Sequence, residues 1–417
     1  MRGHLPRLDA LPIRRRIVDP EVSMEAGLIV EDVRRRGEPA LREHGERLGD
    51  ITPGQDLVLD RARLDEVAAR VTPAESDVLE RVARRIRDFA TEQRRVLVDV
   101  DMAVPGGRAG HRWIPIGSAG AYAPGGRHPL PSSVLMTVVP ARVAGVDSVW
   151  TASPHPTPVT LAAAAIAGAD GLLAIGGAHA IAALAFGTVS PACDLIVGPG
   201  NKWVTAAKKH LYGEIGIDGL AGPSEILVIA DDTADPELVA ADLLAQAEHD
   251  TEATPILITT SARLGDQVDS AIDRQLVDLP TSETASAALG NGFTLVVGSV
   301  DEAAAVSDRV APEHLALHVE DAGHLAGTLR NYGSLFVGEG SAETFADYGV
   351  GPNHVLPTGG GARHQSGLSV LDFLRSPTWS RLDDPAALVG DTVYMARLEG
   401  LEAHARAARL RVSDGAS

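Results

Sequence analysis

The sequence has little sulfur and few aromatic rings. Its 417 residues include one cysteine, and Phe, Trp and Tyr together make up only 4%. A single cysteine excludes an intrachain disulfide framework and any zinc or iron–sulfur site held by several thiolates. A metal bound by this chain would therefore be held by histidine and oxygen ligands, and the chain has 14 histidines.

Positive charge is also scarce. There are 37 Lys and Arg against 56 Asp and Glu, which gives a formal net charge of −19. An acidic surface repels phosphate and releases no counterions on binding, so we expect no nucleic-acid partner. Apolar residues make up 45% and charged residues 22%, which is ordinary globular usage and argues against a disordered chain.

Long apolar runs are absent as well. No uncharged run reaches the roughly 20 residues of a membrane span, and the longest candidate, 158–167, ends at Gly168. Five arginines lie in the first sixteen residues, but no apolar segment follows them. A secretory signal has such a segment, so we predict a cytoplasmic protein without a membrane partner.

The periodicity predicts helices at the start of the chain and alternating strands and helices after it. Residues 19–100 are typical of helices, with a cap at Thr72-Pro73-Ala74-Glu75. From Ile114 onwards, strands are predicted at 148–152, 171–175, 194–197, 226–230, 255–259, 294–297, 314–318 and 334–337. Helices are predicted at 158–167, 179–186, 202–211, 236–249, 264–279, 303–310, 322–331 and 398–411. Strand–helix alternation at this spacing indicates parallel sheets.

The predicted fold class is therefore α/β, with two Rossmann-like parallel-sheet domains, an N-terminal helical segment and a small C-terminal helical arm. We expect an N-terminal arm at residues 1–20 and a discontinuous first domain made of 21–121 and 226–368. The second domain would be 122–225, and residues 369–417 would form a C-terminal dimerisation arm. The last helix is apolar on one face, which indicates packing, possibly on a second subunit.

Three glycine turns are candidates for ligand binding. They are Gly125-Gly126, Gly176-Gly177 and Gly198-Pro199-Gly200-Asn201, and the last two stand between a predicted strand and a predicted helix. Any one of them fits an ordinary tight turn as well as a phosphate site. Because they follow successive parallel strands, together they predict a ligand crevice. Neither G-x-G-x-x-G after a strand nor a P-loop is present.

Two polar pairs could carry chemistry. Gln246 and His249 lie three residues apart on one predicted helix face, where they would be either zinc ligands or a satisfied polar pair. Glu313 and His314 begin a predicted strand, where they would be either an acid–base pair or a surface loop. Neighbouring strand residues point to opposite sides, so both reach one substrate only at an irregular strand end.

Two later segments offer further carboxylates and imidazoles. Asp347 and His354 lie in a loop broken by Gly and Pro, and such loops carry function more often than cores do. Glu399 and His404 fall on the C-terminal helix, where a solvated helix face explains them equally well.

Several runs, taken together and in order, resemble the histidinol dehydrogenases over about residues 20–411. The runs are Gly-Ala-Tyr-Ala-Pro-Gly-Gly (120–126), Ile-Val-Gly-Pro-Gly-Asn-Lys (196–202), Ala-Gly-Pro-Ser-Glu (221–225), Gln-Ala-Glu-His (246–249), Ala-Pro-Glu-His-Leu (311–315), Asn-His-Val-Leu-Pro-Thr (353–358) and Glu-Gly-Leu-Glu-Ala-His (399–404). The resemblance implies oxidation of L-histidinol to L-histidine in two hydride transfers to NAD, through a bound aldehyde.

The resemblance also implies roles for individual residues. One Zn²⁺ per subunit would be held by Gln246, His249, Asp347 and His404. His314 would take the alcohol proton, and Glu313 would activate water to attack the aldehyde. The substrate, an amino alcohol, would be contacted by Ser132, Ser224, His354 and Glu399. NAD would lie against the second domain, at Tyr122, Asn201 and the turn that carries His179.

The resemblance implies a homodimer, in which the C-terminal arm crosses to the partner and His404 completes the partner's site. At one position this chain departs from the family, because His179 stands where the family has Gln. A paralogue that oxidises another primary alcohol, such as a sulfonated diol, is an alternative, although Glu399 fits a substrate amine better than a sulfonate. A non-catalytic zinc-binding scaffold would be expected to lack a ligand or the Glu–His pair, and this sequence has all six residues.

Overall fold

A computed structural model describes residues 5–8, 18–125 and 129–412. The strands, in chain order, are β1 (Arg7–Leu8), β2 (Val58–Asp60), β3 (Val100–Val104), β4 (Gly107–His111), β5 (Ile114–Pro115), β6 (Ser118–Tyr122), β7 (Ser148–Ala152), β8 (Gly171–Leu173), β9 (Leu195–Val197), β10 (Gly216–Ile217), β11 (Glu225–Ala230), β12 (Thr254–Thr259), β13 (Phe293–Val296), β14 (His314–His318), β15 (Ser334–Val337), β16 (Leu374–Arg375) and β17 (Thr378–Leu382). The α-helices are α1 (Pro20–Arg36), α2 (Glu38–Leu48), α3 (Arg61–Ala68), α4 (Pro73–Arg95), α5 (Pro131–Ala144), α6 (Pro158–Ala167), α7 (Gly177–Phe186), α8 (Lys202–Leu211), α9 (Pro236–Ala247), α10 (Ala262–Gln275), α11 (Ser282–Leu289), α12 (Val300–Val310), α13 (Ala322–Ala326), α14 (Glu343–Tyr348), α15 (Ala386–Leu398) and α16 (Glu402–Arg409).

Two six-stranded sheets organise the chain, which confirms the predicted α/β class. Sheet I has the order β10-β9-β6-β7-β8-β2 and is parallel except for β2. Sheet II has the order β1-β13-β12-β11-β14-β15 and is parallel throughout. Apolar cores with helices cover both faces of each sheet, as purely parallel sheets require.

Helix boundaries follow the capping signals in the sequence. Thr72 caps α4 through a capping box with Glu75, as predicted, and Asp235 caps α9 ahead of Pro236. The helix predicted at 264–279 is α10, which ends at Gln275, and the next helix, α11, was not predicted. None of the helices in the described ranges is both long and apolar enough to span a membrane.

The division between the sheets differs from the predicted grouping of residues 21–121 with 226–368. Both β2 and β6 belong to sheet I, and α1 packs on α7 and α8 of the same unit. The reason is packing, because apolar side chains of α1 and α2 enter the sheet I core together with Leu173 and Ile181. Residues 5–8 of the predicted N-terminal arm include β1, which extends sheet II; residues 1–4 and 9–17 lie outside the described part.

The C-terminal segment begins inside the sheet I unit. Val370, Phe373 and Leu374 are buried in its core, β16 pairs with β5, and β17 joins β3 and β4 in a small antiparallel sheet. Beyond it, the helix predicted at 398–411 corresponds to the shorter α16, and α15, which precedes it and was not predicted, packs extensively against α16. Large apolar side chains remain exposed on them: Tyr394, Met395, Leu398, Leu401 and Leu410.

Candidate active site

A cleft of about 580 Å³ lies between the two sheets. Sheet I contributes the turns that follow the carboxyl ends of β6 and β9, and sheet II contributes residues at the amino ends of β11 and β14. The sequence-predicted site residues that line it are Ser132, Asn201, Ser224, Gln246, His249, Glu313, His314, Asp347 and His354. The fold thus gathers nine predicted residues from seven separate stretches of the chain.

Glu313 and His314 form the deepest polar pair of the cleft. His314 begins β14 and Glu313 precedes it, and their Nδ1 and Oε2 atoms lie 3.9 Å apart. Both are buried, at 6% and 5% exposure. Two residues earlier, Ala311 has a positive φ of 54°, an unfavourable conformation for a residue with a Cβ. The strand end is therefore irregular, and both side chains face one cleft, as the acid–base hypothesis requires.

Burial shifts the pKa values of these two groups in opposite directions. Desolvation lowers the pKa of His314 to about 3, and the neighbouring His249 acts in the same direction. Desolvation also raises the pKa of Glu313 well above its ordinary value, although the hydrogen bond from the Glu225 amide, at 2.8 Å, opposes this. Burial therefore favours the neutral form of both groups, and Glu313, when it is deprotonated, is a stronger base than an exposed carboxylate.

Gln246, His249 and Asp347 bring an amide, an imidazole and a carboxylate to the same cleft. Gln246 fits its surroundings best when its amide nitrogen faces the Glu225 carbonyl at 3.2 Å and His314 Nδ1 at 2.9 Å. The amide oxygen then lies on the other side of the group, away from these acceptors. Nitrogen and oxygen donors of this kind suit zinc.

The surrounding charge also suits a cation. Beyond desolvation, repulsion from Asp347, Glu313 and Asp242 raises the pKa of buried Glu343 well above its ordinary value. A bound cation would relieve that repulsion. No group of three or more His, Cys, Asp or Glu within the described ranges is placed to hold a metal.

His354 links the two sides of the cleft. Its Nδ1 lies 3.7 Å from Asp347 Oδ1, and its Nε2 lies 3.5 Å from the Ser133 hydroxyl on the first turn of α5. Burial lowers the pKa of His354, against the attraction of Asp347. Ser132 is its neighbour at the same helix end.

Three backbone amides at the glycine turns of sheet I already donate to side chains. The Gly176 amide donates to Asp50 Oδ2 at 2.8 Å, and the Gly177 amide donates to the Tyr122 hydroxyl at 3.2 Å. The Gly198 amide donates to Asp218. These three amides therefore already have side-chain acceptors.

The three residues expected to contact the dinucleotide are differently placed. Asn201 lines the cleft, and its amide oxygen caps α8. Tyr122 is 2% exposed, and burial raises its pKa to about 12. His179 is fully buried, and its Nε2 lies 3.0 Å from Asp50 Oδ2. Tyr122 and His179 thus support the Gly176-Gly177 turn from beneath.

Glu399 and His404 do not line the cleft of their own chain. Glu399 ends α15 and His404 lies on α16, and both side chains are exposed. Within one chain the predicted zinc ligands thus comprise three cleft residues and one residue on an outlying arm.

Glu343 is a site residue that the sequence reasoning missed. It is 2% exposed, and its Oε1 lies 3.3 Å from His314 Nδ1 and 3.3 Å from the amide nitrogen of reoriented Gln246. Its sequence signal is the i, i+4 spacing from Asp347, which places both carboxylates on one face of α14.

We expect Glu343→Ala to lower kcat about 100-fold, because His314 and Gln246 lose a shared polar partner. Glu343→Gln should stay within about tenfold of wild type, since the raised pKa already favours a neutral group of the same shape. Steady-state kinetics on both variants test this. Asp269→Asn, which alters a buried acid paired with Arg7 on another part of sheet II, is the matched control. Equal losses in the Ala and Gln variants would contradict the role.

Two helix-covered, mainly parallel sheets with a buried Glu–His pair in the cleft between them define an α/β protein with a candidate acid–base site. A family model described as histidinol dehydrogenase matches residues 13–412. A histidinol dehydrogenase of Parasynechococcus marenigrum is 44% identical over 402 residues, covering 94% of this chain and 92% of that protein. One of Rhizobium meliloti is 42% identical, with coverages of 96% and 94%.

The structural comparison agrees. The crystal structure of histidinol dehydrogenase from Elizabethkingia anophelis matches with a TM-score of 0.90 at 32% identity, over 98% of each chain. The chain belongs to the histidinol dehydrogenase family, and it is therefore an oxidoreductase.

Proposed function

We propose that this enzyme oxidises L-histidinol to L-histidine with two NAD, using one Zn²⁺ per subunit. The observation that carries the proposal is the convergence of the Glu313–His314 pair with Gln246, His249 and Asp347 on one cleft, in a chain of this family. Sheet I contributes the opposite wall, where we place the dinucleotide.

The first oxidation removes a proton and a hydride from the alcohol. Neutral His314 accepts the hydroxyl proton while the carbon-bound hydride passes to NAD, and the product is an aldehyde. Burial supports only part of this role, because it keeps the imidazole unprotonated, as a base must be, while the same lowered pKa weakens its affinity for the proton.

The second oxidation needs water. Glu313 takes a proton from water as its oxygen adds to the aldehyde carbon, and the resulting hydrate gives a second hydride to another NAD, leaving the carboxylic acid. The raised pKa of Glu313 supports this role, since it strengthens the base. The Glu225 amide holds the carboxylate in place.

Gln246, His249 and Asp347 would hold the zinc, together with His404. When bound, Zn²⁺ would supply a template for the imidazole and amine of the substrate. Ser132, Ser224, His354 and Glu399 would contact the substrate. Because His404 and Glu399 are exposed away from their own cleft, we propose that the arm of a second copy in a homodimer provides them.

The test is NADH formation by the purified enzyme with L-histidinol, with and without a chelator. We expect two NADH per histidinol and loss of activity after chelation that zinc restores. A sulfonated diol supplied under the same conditions tests the alternative substrate. No NADH with histidinol at any concentration would refute the proposal, and turnover of the diol instead would favour the alternative.

A further inference from the structure

Helix α5 contains a proline in its interior, at position 140. Pro140 has no amide hydrogen to donate to the carbonyl four residues earlier, which is that of Met136. Both residues are buried, and Met136 is not exposed at all, so water cannot take the place of the missing donor. A buried carbonyl without a hydrogen bond is costly. The Met136 carbonyl therefore needs a donor from outside the helix.

The side chain of Asn353 supplies that donor. Its Nδ2 atom lies 2.6 Å from the Met136 carbonyl oxygen, and the two residues are 217 positions apart in the chain. Its other end, Oδ1, accepts the Val355 amide at 2.9 Å. One side chain thus ties the loop that follows α14 to α5, and it also closes a turn within that loop.

His354 stands between the two positions that Asn353 holds. Its ring faces the same helix one turn earlier, since Nε2 lies 3.5 Å from the Ser133 hydroxyl. The other ring nitrogen lies 3.7 Å from Asp347 Oδ1. Both separations are long for a hydrogen bond, so neither contact fixes the ring by itself. The short Asn353 bond fixes the backbone of His354 against α5, and with it the direction in which the ring enters the cleft.

The use of both ends of its side chain distinguishes Asn353 from an ordinary turn residue. An asparagine that only closed a turn would use its side-chain oxygen and leave its nitrogen to solvent. Here the nitrogen is used as well, on a carbonyl that lacks its helical partner because a proline stands four residues later. After His354 the loop is anchored again, where the Leu368 amide donates to the Val355 carbonyl at 2.8 Å. The anchor before His354 is Asn353.

We propose that Asn353 is a positioning residue that holds His354 at the substrate side of the cleft, and that Pro140 keeps the Met136 carbonyl available to it. This inference rests on the proposed function, in which His354 contacts the substrate. It goes beyond that function because it names the interaction that fixes His354, and this interaction involves neither the zinc ligands nor the acid–base pair.

The experiment is a double-mutant cycle between Asn353 and His354, measured as kcat and KM for L-histidinol at saturating NAD. Asn353→Ser is neutral and keeps an oxygen for the Val355 amide, but its side chain ends one bond short of the nitrogen that reaches Met136. We expect it to raise KM about tenfold and to change kcat less than about threefold, since a binding contact is weakened while the chemistry is kept. Loss of folded enzyme would instead lower kcat and leave KM unchanged.

The second half of the cycle tests whether Asn353 acts through His354. In the His354→Ala background, Asn353→Ser should raise KM less than about twofold, because the ring that it positions is no longer present. A side chain with an independent effect would raise KM by the same factor in both backgrounds.

Two further variants separate this bond from other effects. Pro140→Ala gives α5 an amide that competes for the Met136 carbonyl, and it should raise KM about threefold without any change in the loop. Asn331→Ser is the matched control, because it removes a bond from another asparagine Nδ2 to a backbone carbonyl, that of Asp308, at 2.9 Å. It should leave KM unchanged.

A crystal structure of Asn353→Ser gives a measurement that does not depend on the substrate. We expect the His354 ring to turn away from the Ser133 hydroxyl. A ring that stays in place, an unchanged KM, or equal effects of Asn353→Ser with and without His354 would each overturn the inference. An unchanged KM in Pro140→Ala would overturn the part assigned to the proline. If wild type does not oxidise histidinol, the proposed function fails, and the position of the ring still decides the inference.

Discussion

Glu313→Gln is expected to slow oxidation of the aldehyde about 10³-fold and oxidation of the alcohol less than about tenfold. The carboxylate is proposed to activate the water that adds only to the aldehyde, whereas the alcohol proton goes to His314. The amide of Gln keeps the shape and can still accept the Glu225 amide, so the change removes basicity rather than structure. Single-turnover measurement of NADH from the alcohol and from the aldehyde separates the two steps.

His314→Asn is the matched control for this experiment, because loss of the imidazole should slow the alcohol step as well. Equal slowing of both steps by Glu313→Gln would show that the carboxylate is not the specific base for water. Retention of rapid aldehyde oxidation would remove Glu313 from the chemistry altogether.

His404→Ala should lower bound zinc from about one per subunit to less than half, since a four-ligand site would lose one imidazole. Elemental analysis of the dialysed protein measures this. Glu399→Gln, a change on the same arm at a proposed substrate residue, should keep zinc at the wild-type level. Full zinc occupancy in His404→Ala would show that the arm supplies no ligand.

The same residue gives a test of which subunit it serves. We expect His404→Ala and His249→Ala, each inactive alone, to regain activity when they are co-expressed. In a mixed dimer with exchanged arms, one site has both ligands intact and the other lacks both, so random pairing restores about a quarter of wild-type activity. No recovery in isolated mixed dimers would place His404 in the site of its own chain.

Local signals predicted the elements well and their grouping less well. The Thr72 and Asp235 caps mark helix starts because each side chain bonds amides two or three residues away. Strand β14 was predicted with its observed bounds, since an apolar run between turns is also a local property. The membership of α1, α2 and β2 in the sheet I unit depended on apolar faces meeting across more than 100 residues, which local patterns do not record.

In the candidate site, too, the sequence identified residues but not the contacts between them. Gln246, Glu313 and His314 could be named from motifs, but the 2.9 Å contact between Gln246 and His314 follows from the packing of α9 beside β14. Glu343 was not predicted because it lies outside the sequence runs that resemble the family. The sequence singled out His179 as a departure from the family, but only the fold reveals that it is buried against Asp50 instead of lining the cleft.

By itself, the sequence determined that any metal is held without thiolates, that the sheets are parallel, and which residue types are available for acid–base chemistry. The tertiary structure decided which of them meet: the cleft forms where the carboxyl ends of sheet I face the amino ends of sheet II. It also decided their protonation, because desolvation acts on Glu313 and His314 only once both are buried. Burial and long-range contact are properties of the folded chain, and no local spacing contains them.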